Sequence, residues 1–291
     1  MYNATSPVDV MRLREVPLCY LRAQITLKDW RISIKILRIA DDFWNIRGSF
    51  KIAGLIDIGT QSSLIKRDNG KFVFLDSYTL GGVVRKEVDE LTNAGKDVEA
   101  VLNLHPFHTI HVPKMHERYP NARHYGTARH LSKFPELAWQ ALCTEDPELH
   151  SLFARELDFS VPRGVDFISD DENVHFSSVL AYHRASRTIH VDDTLMYIRL
   201  PLLMRFFGLT DAMSFHPTLS KVLEKREGAV HDFSQWAEEL AEQWQDAENL
   251  CAAHTAALIA ENDSETSIQD RILKALSKVQ STLRSHKRKF S

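Results

Sequence analysis

Histidine is the residue type that could do most chemistry in this chain. Fourteen of the 291 residues are histidine, and six of them, His105, His108, His111, His116, His124 and His130, lie between positions 105 and 130. Imidazole ligates metals and exchanges protons near neutral pH, so a site is sought there first. The other reactive residue types form no pattern. Cys19, Cys143 and Cys251 lie far apart and make no Cys-x-x-Cys pair, which argues against a zinc ribbon or disulfide framework and fits a reducing compartment. There is no Gly-x-Ser-x-Gly elbow, no Gly-x-Gly-x-x-Gly loop and no Walker loop. His116-Glu117 begins like a zinc-protease helix, but Pro120 stands where its second histidine belongs.

The elements that must position these histidines follow from hydrophobic period. Ile32, Ile34 and Ile36 alternate with polar residues within Arg31–Ile39, the period of a half-buried strand inside a basic extension spanning residues 1–40. From Asp41 onward the pattern is regular. Strands are expected at Phe43–Arg47, Ile52–Ile58, Ser62–Lys66 and Phe72–Leu75, the last two joined by a hairpin at Asp68-Asn69-Gly70. Val83, Val84, Val88 and Leu91 have helical spacing, and Asn93-Ala94-Gly95 stops that helix. Val98–Leu104 reads as a buried strand leading into the histidines. A short helix over His111–Tyr119, a strand over Ala122–Tyr125 and helix over about 128–142 follow.

The second half repeats the order. Strands are expected at Val165–Ile168, Val174–Tyr182 and Thr188–Val191, helices at about 202–207 and 233–247, a strand at Asn249–Ala253 and a helix over about 268–283. Strands followed by helices, twice, imply an α+β fold of two sheets face to face with helices outside. The pattern-poor segment Leu142–Val165 is expected to be a loop, and residues 199–232 a helical insertion. Residues 284–291 form a basic tail that suits a helix C-terminus.

Composition narrows the classes. Thirty-six Lys+Arg against 39 Asp+Glu leave a net charge of −3, so a nucleic-acid role would need a local basic patch and none is expected. No stretch reaches the roughly 18 consecutive apolar residues of a membrane span, and the N-terminus lacks a signal peptide's apolar core. A cytoplasmic protein with a small-molecule substrate or ligand, free of membrane and compatible with self-association, is the expectation.

Three segments, in order, resemble the metallo-β-lactamase superfamily. Residues 62–77, Ser-Ser-Leu-Ile-Lys-Arg-Asp-Asn-Gly-Lys-Phe-Val-Phe-Leu-Asp-Ser, are similar to its opening hairpin. Residues 102–111, Leu-Asn-Leu-His-Pro-Phe-His-Thr-Ile-His, stand where it has a strand ending in Thr-His-x-His-x-Asp-His. Val174 to Leu195 is similar to its strand–turn–strand ending in Gly-Asp-x-Leu, and Asn249–His254 resembles, more weakly, the strand that delivers its last histidine. The resemblance covers about residues 43–283 and implies a four-layer αββα sandwich. It is a departing resemblance. With His111 as the last motif histidine and His108 as the middle one, Pro106 and Ile110 replace the first histidine and the aspartate, and Val174 replaces a later histidine. The chain resembles in this the Ser-Pro-type relatives of unknown function.

What the resemblance implies is a hydrolase-like protein whose degenerate site holds at most one zinc or iron ion. Its ligands would be His108, His111, Asp193 and His254, with His108 and Asp193 also catalytic. His105 and His175 would contact substrate. His175, one residue beyond the lost position, would point to the opposite face of a strand. Asp76 is expected to brace the 105–111 loop through backbone hydrogen bonds. A metal-free pseudoenzyme binding a small ligand or a protein, and a mononuclear iron redox protein, are the open alternatives.

Overall fold

A computed structural model describes residues 35–52, 56–57, 59–200, 206–207, 211–254, 256–260 and 266–291. The expected extension up to residue 34, Cys19 and most of the expected 202–207 helix lie outside them. Among the described residues no helix is long and apolar enough to cross a membrane, and Cys143 and Cys251 are free thiols.

Two sheets form the inner layers. The first runs β1 (Lys35–Ala40), β2 (Phe43–Gly48), β5 (Thr60–Lys66), β6 (Phe72–Leu75), β7 (Val98–Leu102) and β8 (Arg123–Tyr125) in that spatial order. The short hairpin β3 (Lys51–Ile52) and β4 (Ile56–Asp57) rises between β2 and β5. β1, β2, β5 and β6 pair antiparallel, with β5 and β6 joined across Arg67–Lys71 where Asp-Asn-Gly stands. β6, β7 and β8 pair parallel. The second sheet contains β9 (Leu157–Ser160), β10 (Leu180–His183), β11 (Thr188–Val191), β14 (Asn249–Ala252) and β15 (Ala257–Leu258). In it β11 and β14 are the parallel pair. A separate hairpin joins β12 (Leu195–Ile198) to β13 (Ala212–Phe215).

Alternation sorts each strand's side chains between two layers. Phe43, Ile65, Val73, Leu75, Ala100 and Leu102 of the first sheet meet Ala181 and Cys251 of the second in an inter-sheet core. The opposite face of the first sheet, with Trp44, Leu64, Phe74 and Val101, packs on Val84 and Val88 of α1 (Gly82–Leu91) and Met115 of α2 (Val112–Arg118). The opposite face of the second, with Ile189, Val191, Leu250 and Ala252, packs on Phe233, Trp236 and Leu240 of α6 (Ala229–Gln243) and Ile272 and Leu276 of α7 (Ile268–Lys278). The result is the four-layer αββα sandwich.

Several expected boundaries move. Residues 35–40, read as the end of an extension, are the edge strand of the first sheet. The expected loop 142–165 contains α4 (Pro147–Phe153) and β9. Asp146-Pro147 opens α4 with proline at the first helical position, and Leu157 and Phe159 supply β9's two-residue period. Val165–Ile168 is no strand, since Val165 makes a single bridge to Leu223. The expected insertion 199–232 holds β13 and the short α5 (Leu219–Val222) rather than helix alone. Helix over 128–142 shrinks to α3 (Ala128–Lys133), and the last helix breaks at Val279, where α8 (Gln280–Phe290) carries the basic tail.

Candidate metal centre

Both sheets bring the C-terminal ends of parallel strands to one edge, a place where α/β architectures leave a crevice. From β7 the chain passes through Asn103 and Leu104 into the histidines. Asp76, just past β6, takes a φ of 61°, a left-handed conformation aspartate tolerates better than most residues. Its Oδ1 accepts the Leu104 N–H at 2.8 Å, so the expected brace is the contact present. From β11 and β14 come Asp192-Asp193 and His254.

Pro106 shapes the histidine loop. The His108 N–H donates to the His105 carbonyl at 3.1 Å, closing a turn with proline at its second position. That turn stacks the two imidazoles at 4.1 Å between centroids. Asp193 is their common partner. Its Oδ2 lies 3.2 Å from His105 Nε2, 3.6 Å from His108 Nε2 and 3.9 Å from His175 Nδ1, and its Oδ1 lies 2.9 Å from His254 Nε2. The ligand atoms of His105, His108 and Asp193 all fall within 4.8 Å of one another.

The second nitrogen of each ring decides what the first can do. His254 Nδ1 donates to the Gly59 carbonyl at 2.8 Å, and His175 Nε2 donates to the Glu172 carbonyl at 2.9 Å. Each neutral ring therefore turns a lone pair toward Asp193. His254 Nε2 and Asp193 Oδ1 are then two acceptors 2.9 Å apart, and Asp193 Oδ1 has no hydrogen-bond donor. Such a pair requires a proton or a cation between its members. His105 has the opposite tautomer. Its Nδ1 accepts the Phe107 N–H at 3.1 Å, so its proton sits on Nε2 and faces Asp193. His105 Nε2 is buried without a hydrogen bond, 3.2 Å from Asp193 Oδ2, so proximity alone places it at the carboxylate. Zinc at about 2.0–2.1 Å from tetrahedral ligands sets their atoms about 3.4 Å apart, a value that the distances of His108, His175 and His254 from the Asp193 oxygens bracket.

Charge points the same way. Burial opposes the Asp193 carboxylate, yet the His105 and His108 imidazoles beside it outweigh that and hold its pKa well below the usual carboxylate range. Burial likewise opposes charge on His108, but Asp192, then Asp193 and Asp76, raise it to about 9. His105 is lowered to about 4 by burial and by the His108 charge. Asp192 is pushed up to about 6 by burial and the nearby Asp76. Three buried carboxylates thus surround one imidazole and create a demand for positive charge.

An inner polar layer fixes the strand ends. His190 Nε2 donates to Asp76 Oδ2 at 2.8 Å, and its Nδ1 meets Ser63 Oγ at 2.9 Å. Ser63 and His190 are fully buried between the sheets, while Asp76, at the end of this Ser–His–Asp chain, lines the cavity floor. Arg47 donates to the carbonyls of Ala252 and Ala253 at 2.5 and 3.2 Å, immediately before His254. Gln61 Nε2 donates to the carbonyls of Val191 and Cys251 at 2.8 and 2.9 Å. These two side chains tie the first sheet to the strand ends that deliver Asp193 and His254.

Sequence reading grouped His108, His111, Asp193 and His254. The structure brings His108, Asp193 and His254 together, adds His105 and His175, and sets His111 apart. His111 Nδ1 bonds Thr79 Oγ1 at 2.9 Å, and its ring lies edge-on to Tyr78, at the rim of the cavity. His175 precedes β10 by five residues, so the strand-face argument does not apply to it. His190, His216 and Asp192 went unassigned. His216 and Asp76 line the cavity, and His190 and Asp192 sit behind its floor, their ligand atoms within 4.8 Å of the Asp76 carboxylate and of each other. The i, i+2 spacing of His190 and Asp192 along β11 was the available signal for the last two.

No family model matches the chain, and no curated protein matches it. Solved structures do. A metallo-β-lactamase from Erythrobacter litoralis, with beta mercaptoethanol in its active site, superposes with TM-score 0.55 at 12% identity over 84% of this chain and 96% of that one. One from Hirschia baltica gives 0.53 at 13% over 84% and 97%. One from Pseudomonas aeruginosa in its mono-zinc form gives 0.53 at 10% over 85% and 96%. The chain therefore has the metallo-β-lactamase fold that its motifs resemble.

Proposed function

We propose that the protein is a metal-dependent hydrolase of small molecules, with one zinc or iron ion held by His108, His175, Asp193 and His254. The observation that carries this reading is the pair of facing acceptors, His254 Nε2 and Asp193 Oδ1, 2.9 Å apart with their second nitrogen and oxygen already oriented by neighbours. Three imidazoles and one carboxylate are a donor set suited to either metal. Bound there, the ion would supply Lewis acidity and a water with pKa brought toward neutrality. His105, with Nε2 3.2 Å from Asp193 Oδ2, would stand beside that carboxylate at the ion site. Gln61 and Arg47 hold the two strand ends in register, and the inter-sheet core below keeps the site floor dry.

A second reading, a metal-free binding protein, draws on His108, whose imidazolium between Asp192 and Asp193 could satisfy the same carboxylates. Elemental mass spectrometry on tag-free protein separates the two. One zinc or iron per chain, lost in His108→Ala/His254→Ala and retained in His111→Ala, supports the hydrolase. No metal in wild type after incubation with zinc and with iron refutes it and leaves the binding protein.

A further inference from the structure

The cavity above the Asp193 cluster encloses about 530 Å³ and is lined unevenly. Its floor is polar, with Asp76, Asp193, His108 and His254. Its wall is apolar, with Phe107 and Ile110 from the histidine loop and Met196 from β12. The Phe107 ring is fixed in place by His175, stacked on it at 4.7 Å, and by the Arg129 guanidinium 4.5 Å from its centroid. Ile110 is 67% exposed, an apolar side chain standing at the mouth where the sequence resemblance expects a carboxylate.

The cations nearest this wall are engaged elsewhere. Arg129 pairs with Glu172 and reaches the Pro106 carbonyl, and Lys133 Nζ donates to Thr109 Oγ1 at 3.0 Å. Among the described lining residues none is lysine or arginine. An anionic substituent on a substrate would be desolvated against Phe107, Ile110 and Met196 with no lysine or arginine beside it, which is costly. An aryl or branched alkyl group would bury apolar area there instead.

We propose that the substrate is an uncharged carbonyl compound whose aromatic or branched-alkyl group packs against Phe107, Ile110 and Met196. The proposal deepens the hydrolase reading and rests on it. Hydrolysis adds water across the carbonyl–oxygen or carbonyl–nitrogen bond, releasing a carboxylic acid and an alcohol or amine with no other reactant. Charge is selected against at the wall, and the floor carries the chemistry.

Two probes test this. The metal-loaded full chain is given 4-isopropylphenyl acetate and 4-acetoxybenzoate, similar in shape and different in charge, with rates corrected for reaction with hydroxide. Binding of the matching amides, N-(4-isopropylphenyl)acetamide and 4-acetamidobenzoate, is measured by calorimetry without turnover. The expected result is at least a tenfold preference for the uncharged member in kcat/KM and in amide affinity. Ile110→Lys, a change at an exposed position, should bring both ratios to within threefold of unity or reverse them. Equal or better use of the charged member by wild type, or ratios that Ile110→Lys does not move, would overturn the proposal. Hydrolysis without charge preference removes this inference and leaves the hydrolase reading. Amide preference without any hydrolysis overturns the hydrolase reading and the claim of a hydrolysed substrate with it, and leaves the apolar wall as a ligand subsite. Failure of both amides to bind and of both esters to react removes both.

Discussion

Acidification from pH 7.5 to 5.5 should destabilise the metal-free protein, and the groups shifted furthest contribute a loss on the order of 3 kcal/mol. His124 and His190 are lowered to about 4 and His130 to about 3, each chiefly by burial. An unfolded histidine takes up its proton around 6.5, whereas these stay neutral in the fold. The unfolded state therefore binds more protons in this window, and stability falls with pH. The linkage relation gives a loss between about 1 and 2 kcal/mol for each of the three. His105 and His108 shift in opposite directions and nearly cancel. Asp192, raised to about 6, takes up a proton in the folded state and returns up to about 1 kcal/mol. The melting temperature should fall by roughly 6–12 °C for a chain of this size. The assay is urea unfolding in a chelator at pH 7.5, 6.5 and 5.5. One variant isolates the cause. His130 is the third residue of α3 and forms a capping box with Thr127, a position where glutamine serves equally. His130→Gln should leave stability at pH 7.5 within about 1 kcal/mol of wild type and reduce the acid loss by between about 1 and 2 kcal/mol. A flat stability between pH 7.5 and 5.5, or an acid loss unchanged in His130→Gln, would refute the reasoning.

Three further outcomes are expected. Arg47→Met leaves the Ala252 and Ala253 carbonyls and Asp192 without their cation, so urea unfolding should show a loss of about 3–5 kcal/mol. Arg47→Lys should not restore it, because an ammonium cannot fork to two carbonyls as guanidinium does. His105→Ala should weaken metal binding about 10–100-fold by chelator competition, the usual effect of removing a group that orients a ligand, with metal stoichiometry unchanged. Leu102→Ala, at a fully buried position in the inter-sheet core, should cost about 2–5 kcal/mol with an unchanged urea m-value.

The frame of this fold was readable from the chain because each inner strand is short and buried on both faces. Phe43–Arg47, Phe72–Leu75 and Thr188–Val191 are β-rich runs between turn signals, and the Asp68-Asn69-Gly70 hairpin fixes the register of β5 against β6. What period could not locate were elements held by a few contacts. β9 pairs only with β10, and its four residues carry too little alternation to stand out from the loop around them. β13, the second strand of the hairpin with β12, falls inside residues 199–232, which read as a helical insertion.

The site was legible in its residue types and less so in their grouping. Pro106 reads in a motif alignment as a lost histidine. In the chain it is the second residue of a turn that places His105 over His108, so a change that removes one donor positions two others. Roles within the cluster depend on a further step. His254 and His175 point lone pairs at Asp193 because their other nitrogens meet backbone carbonyls, and His105 points a proton there because its other nitrogen meets a backbone N–H. The His105 partner is two residues away and belongs to the Pro106 turn. The His254 partner, Gly59, is 195 residues away. It is brought there by Gln61, two positions later on β5, bonding the carbonyls of β11 and β14. A histidine's chemistry here is set by the atom behind it, and for His254 that atom arrives only when the two sheets close on each other.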